Sequence, residues 1–217
     1  MRLSGITFKT VLCAGLFCFV LAFSWSEVFA HQGILEEKDT TGFDNAIELE
    51  KPGVSYAVYA GLKFSGDVDY IKFTIQGPQR VKIGILVPHA EEFKDYYPVY
   101  ALVGPGLEAP PAGLPFELPE GHGAIVVKSG PVSERPEFFE PFSFTRYYRG
   151  IEELELDVKA PGSYYVVVWH PEDEYGDYLV SYGGSESFTF AEIIDTYRVV
   201  WQVKTGKWGG TRGYKDK

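Results

Sequence analysis

Between Tyr70 and Gln76 apolar and polar positions alternate: Ile71, Phe73 and Ile75 share one side, and Lys72, Thr74 and Gln76 share the other with Tyr70. A period of two belongs to an extended strand with one face in a core. By the same parity Asp69 starts on the core side, where a carboxylate needs partners. Asp67, one residue after Gly66, belongs to the preceding turn. Similar short runs rich in Val, Ile, Tyr and Phe recur along the chain, divided by Gly and Pro. Strands are predicted at 55–62, 70–76, 80–87, 97–103, 124–128, 152–158, 163–170 and 178–183. Strands in sequence without intervening helices predict an all-β fold, an antiparallel β-sandwich.

Two excursions interrupt the pattern. Residues 104–123 are too dense in Pro and Gly for regular structure and read as a long, stiff loop. A second, after Lys128, ends in the run F-F-E-P-F-S-F-T-R-Y-Y-R at 138–149.

Near the C-terminus the period changes. Phe190, Ile193, Ile194, Tyr197, Val200 and Trp201 follow the spacing of an amphipathic helix, predicted over 188–205. Thr189 and Glu192 form a capping-box pattern, and Lys204 before Gly206 marks the end. Its β-branched residues keep a terminal strand open as the alternative. The stripe is expected to dock on its own domain. Membrane contact is not expected, because Glu192 and Asp195 lie on the polar face. The basic tail at 206–217 is expected to be flexible.

The first 30 residues read differently. Arg2 and Lys9 precede an apolar stretch from Val11 to Phe23, and Val28-Phe29-Ala30 offers a small-x-small cleavage site. This is the pattern of a secretory signal peptide, so a secreted or periplasmic chain beginning at His31 is expected, with the sandwich spanning 31–187. Cleavage there removes both cysteines and the only methionine. Disulfides and thiolate chemistry are then excluded. The remaining chain has 18 basic and 29 acidic side chains, a net charge of −11. That balance argues against nucleic acid as a partner.

The segment D-N-A-I-E-L-E-K-P-G-V-S-Y-A-V-Y-A-G-L-K-F-S-G-D-V-D-Y-I-K-F-T-I (44–75) resembles the opening of bacterial pre-peptidase C-terminal domains. The runs A-P-G-S-Y-Y-V-V-V-W (160–169) and G-D-Y-L-V-S-Y (176–182) resemble their closing hairpin. The resemblance implies a secreted jelly-roll-like sandwich acting as an accessory or binding module, in a family where some members bind calcium near the N-terminal segment. This chain differs in having no attached peptidase and in carrying a C-terminal helix.

Candidate chemistry follows from residue types. Calcium wants several oxygens from loops, and Asp44, Asp67, Asp69, Asp173 and Asp177 are candidates for a structural ion. The competing reading is an Asx-turn at Asp67, a carboxylate at Asp69 capped by backbone amides, and a solvated acidic turn around Asp173. His31, as a new N-terminus, offers amine and imidazole together. This start looks like that of the histidine-brace copper proteins, which makes copper or another transition metal the alternative function. A brace needs a further histidine, and His89, His122 and His170 are available. No H-E-x-x-H or G-x-S-x-G occurs, so catalysis is not expected. Aromatic loops are the expected binding face for a protein or polysaccharide. They comprise Phe138, Phe139, Phe142, Phe144, Arg146, Tyr147 and Tyr148, with Tyr96 and Tyr97 as a second cluster. The competing reading puts these rings in the core.

Overall fold

The computed structural model describes residues 31–51, 53–130, 134–140, 144–150, 152–183 and 190–205. The expected signal segment, Phe142, Thr189 and the basic tail lie outside the described residues. Every strand expected from alternation is present, some with shifted ends. In chain order they are β3 (Tyr56–Leu62), β4 (Val68–Ile75), β5 (Gln79–Pro88), β6 (Val99–Pro105), β7 (His122–Val127), β10 (Leu154–Val158), β11 (Gly162–Trp169) and β12 (Gly176–Gly183). Four shorter strands join them: β1 (Gln32–Leu35), β2 (Ile47–Leu49), β8 (Glu137–Glu140) and β9 (Thr145–Arg149). A helix, α1 (Phe190–Lys204), follows.

Two sheets face each other. One is ordered β1-β3-β12-β5-β9-β8, with β10 also paired to β5; the other is β2-β4-β11-β6-β7. Most pairings are antiparallel, but β1 runs parallel to β3 and β2 parallel to β4. The core between the sheets takes Val58, Ala60 and Val180 from the first and Ile71, Phe73 and Val166 from the second. The inward set predicted for β4 is the buried one.

The outer faces are covered as well. Phe116, Leu114 and Leu118, from the proline-rich excursion, pack with Phe43 on Tyr70, Val167 and Trp169. The loop thus serves as a lid over the second sheet, which explains why β6 and β11 read as nearly continuous apolar runs. On the opposite, inward side of β6, Gly104 leaves room for the Tyr164 ring of the core, which a Cβ there would strike.

On the first sheet α1 performs the same service. Val203 and Val199 join Ala57, Tyr59, Leu86 and Leu179. Thr196 Oγ1 donates to His31 O (3.3 Å) and accepts from Gly33 N–H (3.1 Å), fixing the helix over β1. The docked face therefore runs through Thr196, Val199, Val200 and Val203. It is turned relative to the expected stripe, leaving Ile194, Tyr197 and Trp201 exposed. The reason lies in β1: with Gly33 beneath the helix, the smaller Thr and Val side chains approach closely, and the large rings do not fit there.

Candidate functional site

The turn joining β3 to β4 builds one end of the sandwich. Gly66 takes φ +79, so the chain reverses there at no steric cost. Asp67 closes the turn: Oδ2 accepts Lys63 N–H (2.6 Å) and Oδ1 accepts Val68 N–H (2.9 Å). This is the Asx-turn role, and burial raises its pKa. Asp69 is fully buried. Its Oδ2 accepts the Tyr178 hydroxyl (2.7 Å) and its Oδ1 the Thr40 hydroxyl (3.2 Å), so side-chain hydroxyls, and not the expected backbone amides, partner it.

Asp69 has acidic company that the sequence did not announce. Carboxyl oxygens of Glu36, Asp39 and Asp69 lie within 4.8 Å of one another. Glu36 Oε2 accepts Gly61 N–H (3.3 Å). Burial holds the Asp69 carboxyl well above its ordinary range, and the charges of Glu36 and Asp67 add to this. Burial also raises Glu36, against the pull of Lys63. Lys63 Nζ sits 3.1 Å from Glu36 Oε2 and 2.9 Å from Asp39 Oδ1. Burial lowers the Lys63 pKa, but its hydrogen bonds and charge contacts with Asp39 and Glu36 outweigh this, leaving it raised.

Of the residues expected as calcium ligands, Asp69 lies in a cluster of three carboxylates, and its companions there are Glu36 and Asp39. Asp67 is spent on its turn. Asp44 lies exposed beside Asn45, whose Oδ1 accepts the amides of Thr41 and Gly42. Asp173 sits exposed at φ +56 in the β11–β12 turn. Asp177 is buried against Gly61, where a Cβ would meet its Oδ1 at 2.9 Å. Glu36 and Asp39 were missed because Glu36-Glu37-Lys38-Asp39 reads as a solvated charge run.

The four histidines have separate surroundings. His31 lies by α1, and burial lowers its pKa. His89 packs on Tyr148 and reaches Glu137 (3.3 Å), while His122 bonds Glu120 O (3.0 Å). His170 is buried and stacked on Tyr96, with the backbone N–H groups of Tyr97, Glu172 and Glu174 within 3.3 Å of its ring nitrogens. Burial lowers its pKa, and amides directed at the ring disfavour the charged imidazolium.

The described part of the aromatic run lies on β8 and β9, an antiparallel pair at the edge of the first sheet. Its pairs Phe138↔Tyr147 and Phe139↔Arg146 divide the rings between two faces. Phe138 and Tyr147 turn inward onto the cluster beneath α1. Tyr147 is buried, which removes it from the expected contact set. Tyr96 is removed too: it is buried, donates to Gly176 O (2.8 Å), and its own carbonyl accepts Arg135 Nη2 (2.9 Å). Burial lowers Arg135 to about 10. Tyr97 is half-buried and donates to Glu172 Oε1 (2.6 Å).

The outward face carries Glu137, Phe139, Arg146 and Tyr148, with Arg146 Nη1 on Glu137 Oε2 (3.3 Å). Tyr148 lies between His89 and Arg135. Phe139 is 48% exposed and Phe144 76%, their rings edge to face at 6.3 Å. Phe144 has φ +53, a region bulky side chains rarely enter.

No protein-family profile matches the chain, and no curated protein does. Among solved structures, the chain is similar to the pre-peptidase C-terminal domain of a collagenase from Bacillus anthracis. The two are 13% identical; the match covers 71% of this chain and 97% of that one, with a TM-score of 0.35. Among the described residues no helix is long and apolar enough to cross a membrane.

Proposed function

We propose that the chain is an extracytoplasmic, non-catalytic binding module that meets a protein or polysaccharide partner through the outward face of the β8–β9 hairpin. The observation that carries this reading is the exposed pair Phe139 and Phe144, the latter held at a positive φ. A non-glycine residue there costs on the order of 1 kcal/mol or more. Two exposed rings on an edge hairpin present apolar area that neither sheet uses. Arg146 and Tyr148 beside them supply the polar chemistry common at binding hot spots. A sugar face or an apolar side chain stacks equally well on such a surface.

The non-catalytic reading draws support from how the buried titratable groups are used. Asp69 takes two hydroxyls, Glu36 takes an amide and an ammonium, and His170 faces backbone N–H groups. Each is tied to a structural partner. The extracytoplasmic reading rests on the signal-like first 30 residues.

The double variant Phe139→Ala/Phe144→Ala tests the proposal. Capture of the chain on immobilised polysaccharides and on partner proteins from culture supernatant is expected to fall about tenfold or more, with an unchanged unfolding midpoint. Retention unchanged by the double variant would reject the hairpin as the contact face.

A further inference from the structure

The Glu36–Asp39–Asp69 cluster has the dimensions of a cation site. Oxygens on opposite sides of a calcium ion lie about 4.8 Å apart, twice a bond of roughly 2.4 Å. The carboxyl oxygens of the three residues lie within that span, and the Thr40 hydroxyl adjoins them on Asp69. Asp69 and the Glu36 side chain are fully buried. Buried carboxylates are costly unless a proton or a cation neutralises them, and Glu36 and Asp39 lie where a cation can do so.

The second observation is that the chain supplies such a cation itself. Lys63 Nζ lies 3.1 Å from Glu36 Oε2 and 2.9 Å from Asp39 Oδ1, each within ion-pair distance. Its root is fixed as well. Lys63 directly follows β3, and its backbone N–H is held by Asp67 Oδ2 at 2.6 Å. The turn that Asp67 and Gly66 shape thus delivers the lysine to the carboxylates. The ammonium already holds two of the three carboxylates of the cluster, Glu36 and Asp39, so a divalent ion bound by the same groups would have to displace it.

We infer that Lys63 is the resident cation of this cluster, that its ammonium takes the place a calcium ion would fill, and that the chain is therefore independent of calcium. The clasp spans both sheets. Glu36 accepts from Gly61 in one, and Asp69 in the other accepts from Tyr178 across the core. A covalently tethered cation keeps that clasp closed whatever the calcium concentration outside.

Calcium-dependent stability of the full chain and of Lys63→Met decides the matter. Thermal midpoints are compared in EDTA and in about 10 mM calcium chloride, an excess large enough to reveal a weak site. Wild type is expected to melt at the same temperature in both. Lys63→Met is expected to melt lower in EDTA and to regain about 5 °C or more with calcium. The double variant Lys63→Met/Asp39→Asn is expected to lose that response. A wild-type midpoint that falls in EDTA overturns the inference. So does a Lys63→Met chain that gains nothing from calcium, including one that stays unfolded in both buffers.

Discussion

Asp69 carries an electrostatic consequence that can be followed to the stability of the whole chain. Its folded-state pKa is raised well above the ordinary carboxyl value, by burial first and then by Glu36 and Asp67, with Tyr178 pulling the other way. The folded chain therefore holds a proton that the unfolded chain releases at about pH 4. The contribution is full below about pH 4 and is lost as pH climbs through the raised value. His170 acts oppositely: burial lowers its pKa, so its contribution is full above about pH 6.5 and is lost as pH falls. The charged groups around the Asp69 cluster are Lys63, Glu36, Asp39 and Asp67. Denaturant midpoints measured from about pH 4 to pH 8 are expected to show a decline toward neutral pH that Asp69→Asn flattens. A decline of equal slope in the variant would assign it to other groups. Strand parity alone made the burial of Asp69 legible. Its partners were not, since Glu36, Thr40 and Tyr178 are distant in sequence, and no local pattern encodes such a meeting.

Among the elements, the long strands were readable because each has one or both faces in a core, and hydrophobic spacing records that directly. The short ones were not. β1 has four residues and β2 three, too few to establish a period. The hairpin β8–β9 was hidden by its aromatics, which fill inward and outward positions alike, so Tyr147 and Phe139 look equivalent until the pairing separates them. The helix shows a further limit. Its period was visible, but which side would dock depended on Gly33 beneath it. Because Val203 is buried in the cluster on the outer face of the first sheet, Val203→Asp is expected to cost about 3 kcal/mol and to release α1. Limited proteolysis would then cleave within α1 while β3 to β12 stay protected. If the variant melts like wild type, the helix adds nothing to the fold.

At the scale of the whole molecule, four layers stack in order: helix, sheet, sheet and proline-rich loop. Both coverings are sequence-local, yet each shields a sheet assembled from distant segments. The last hairpin holds the arrangement together. β11 lies between β4 and β6 in the centre of one sheet, and β12 lies between β3 and β5 inside the other. A chain ending at residue 160 lacks both central strands. It is expected to show no cooperative thermal transition, a prediction that a sigmoidal melt of the truncated chain would refute.

That placement also sets an order in time. Synthesis proceeds from the N-terminus, so the second sheet gains its central strand β11 only at Trp169 and the first sheet gains β12 only at Gly183. Contacts between segments so far apart form slowly, because loop closure must precede them. A nascent chain of this sequence can complete neither sheet until most of its length has been made. The fold is then completed by its final hairpin, which sends one strand into each sheet.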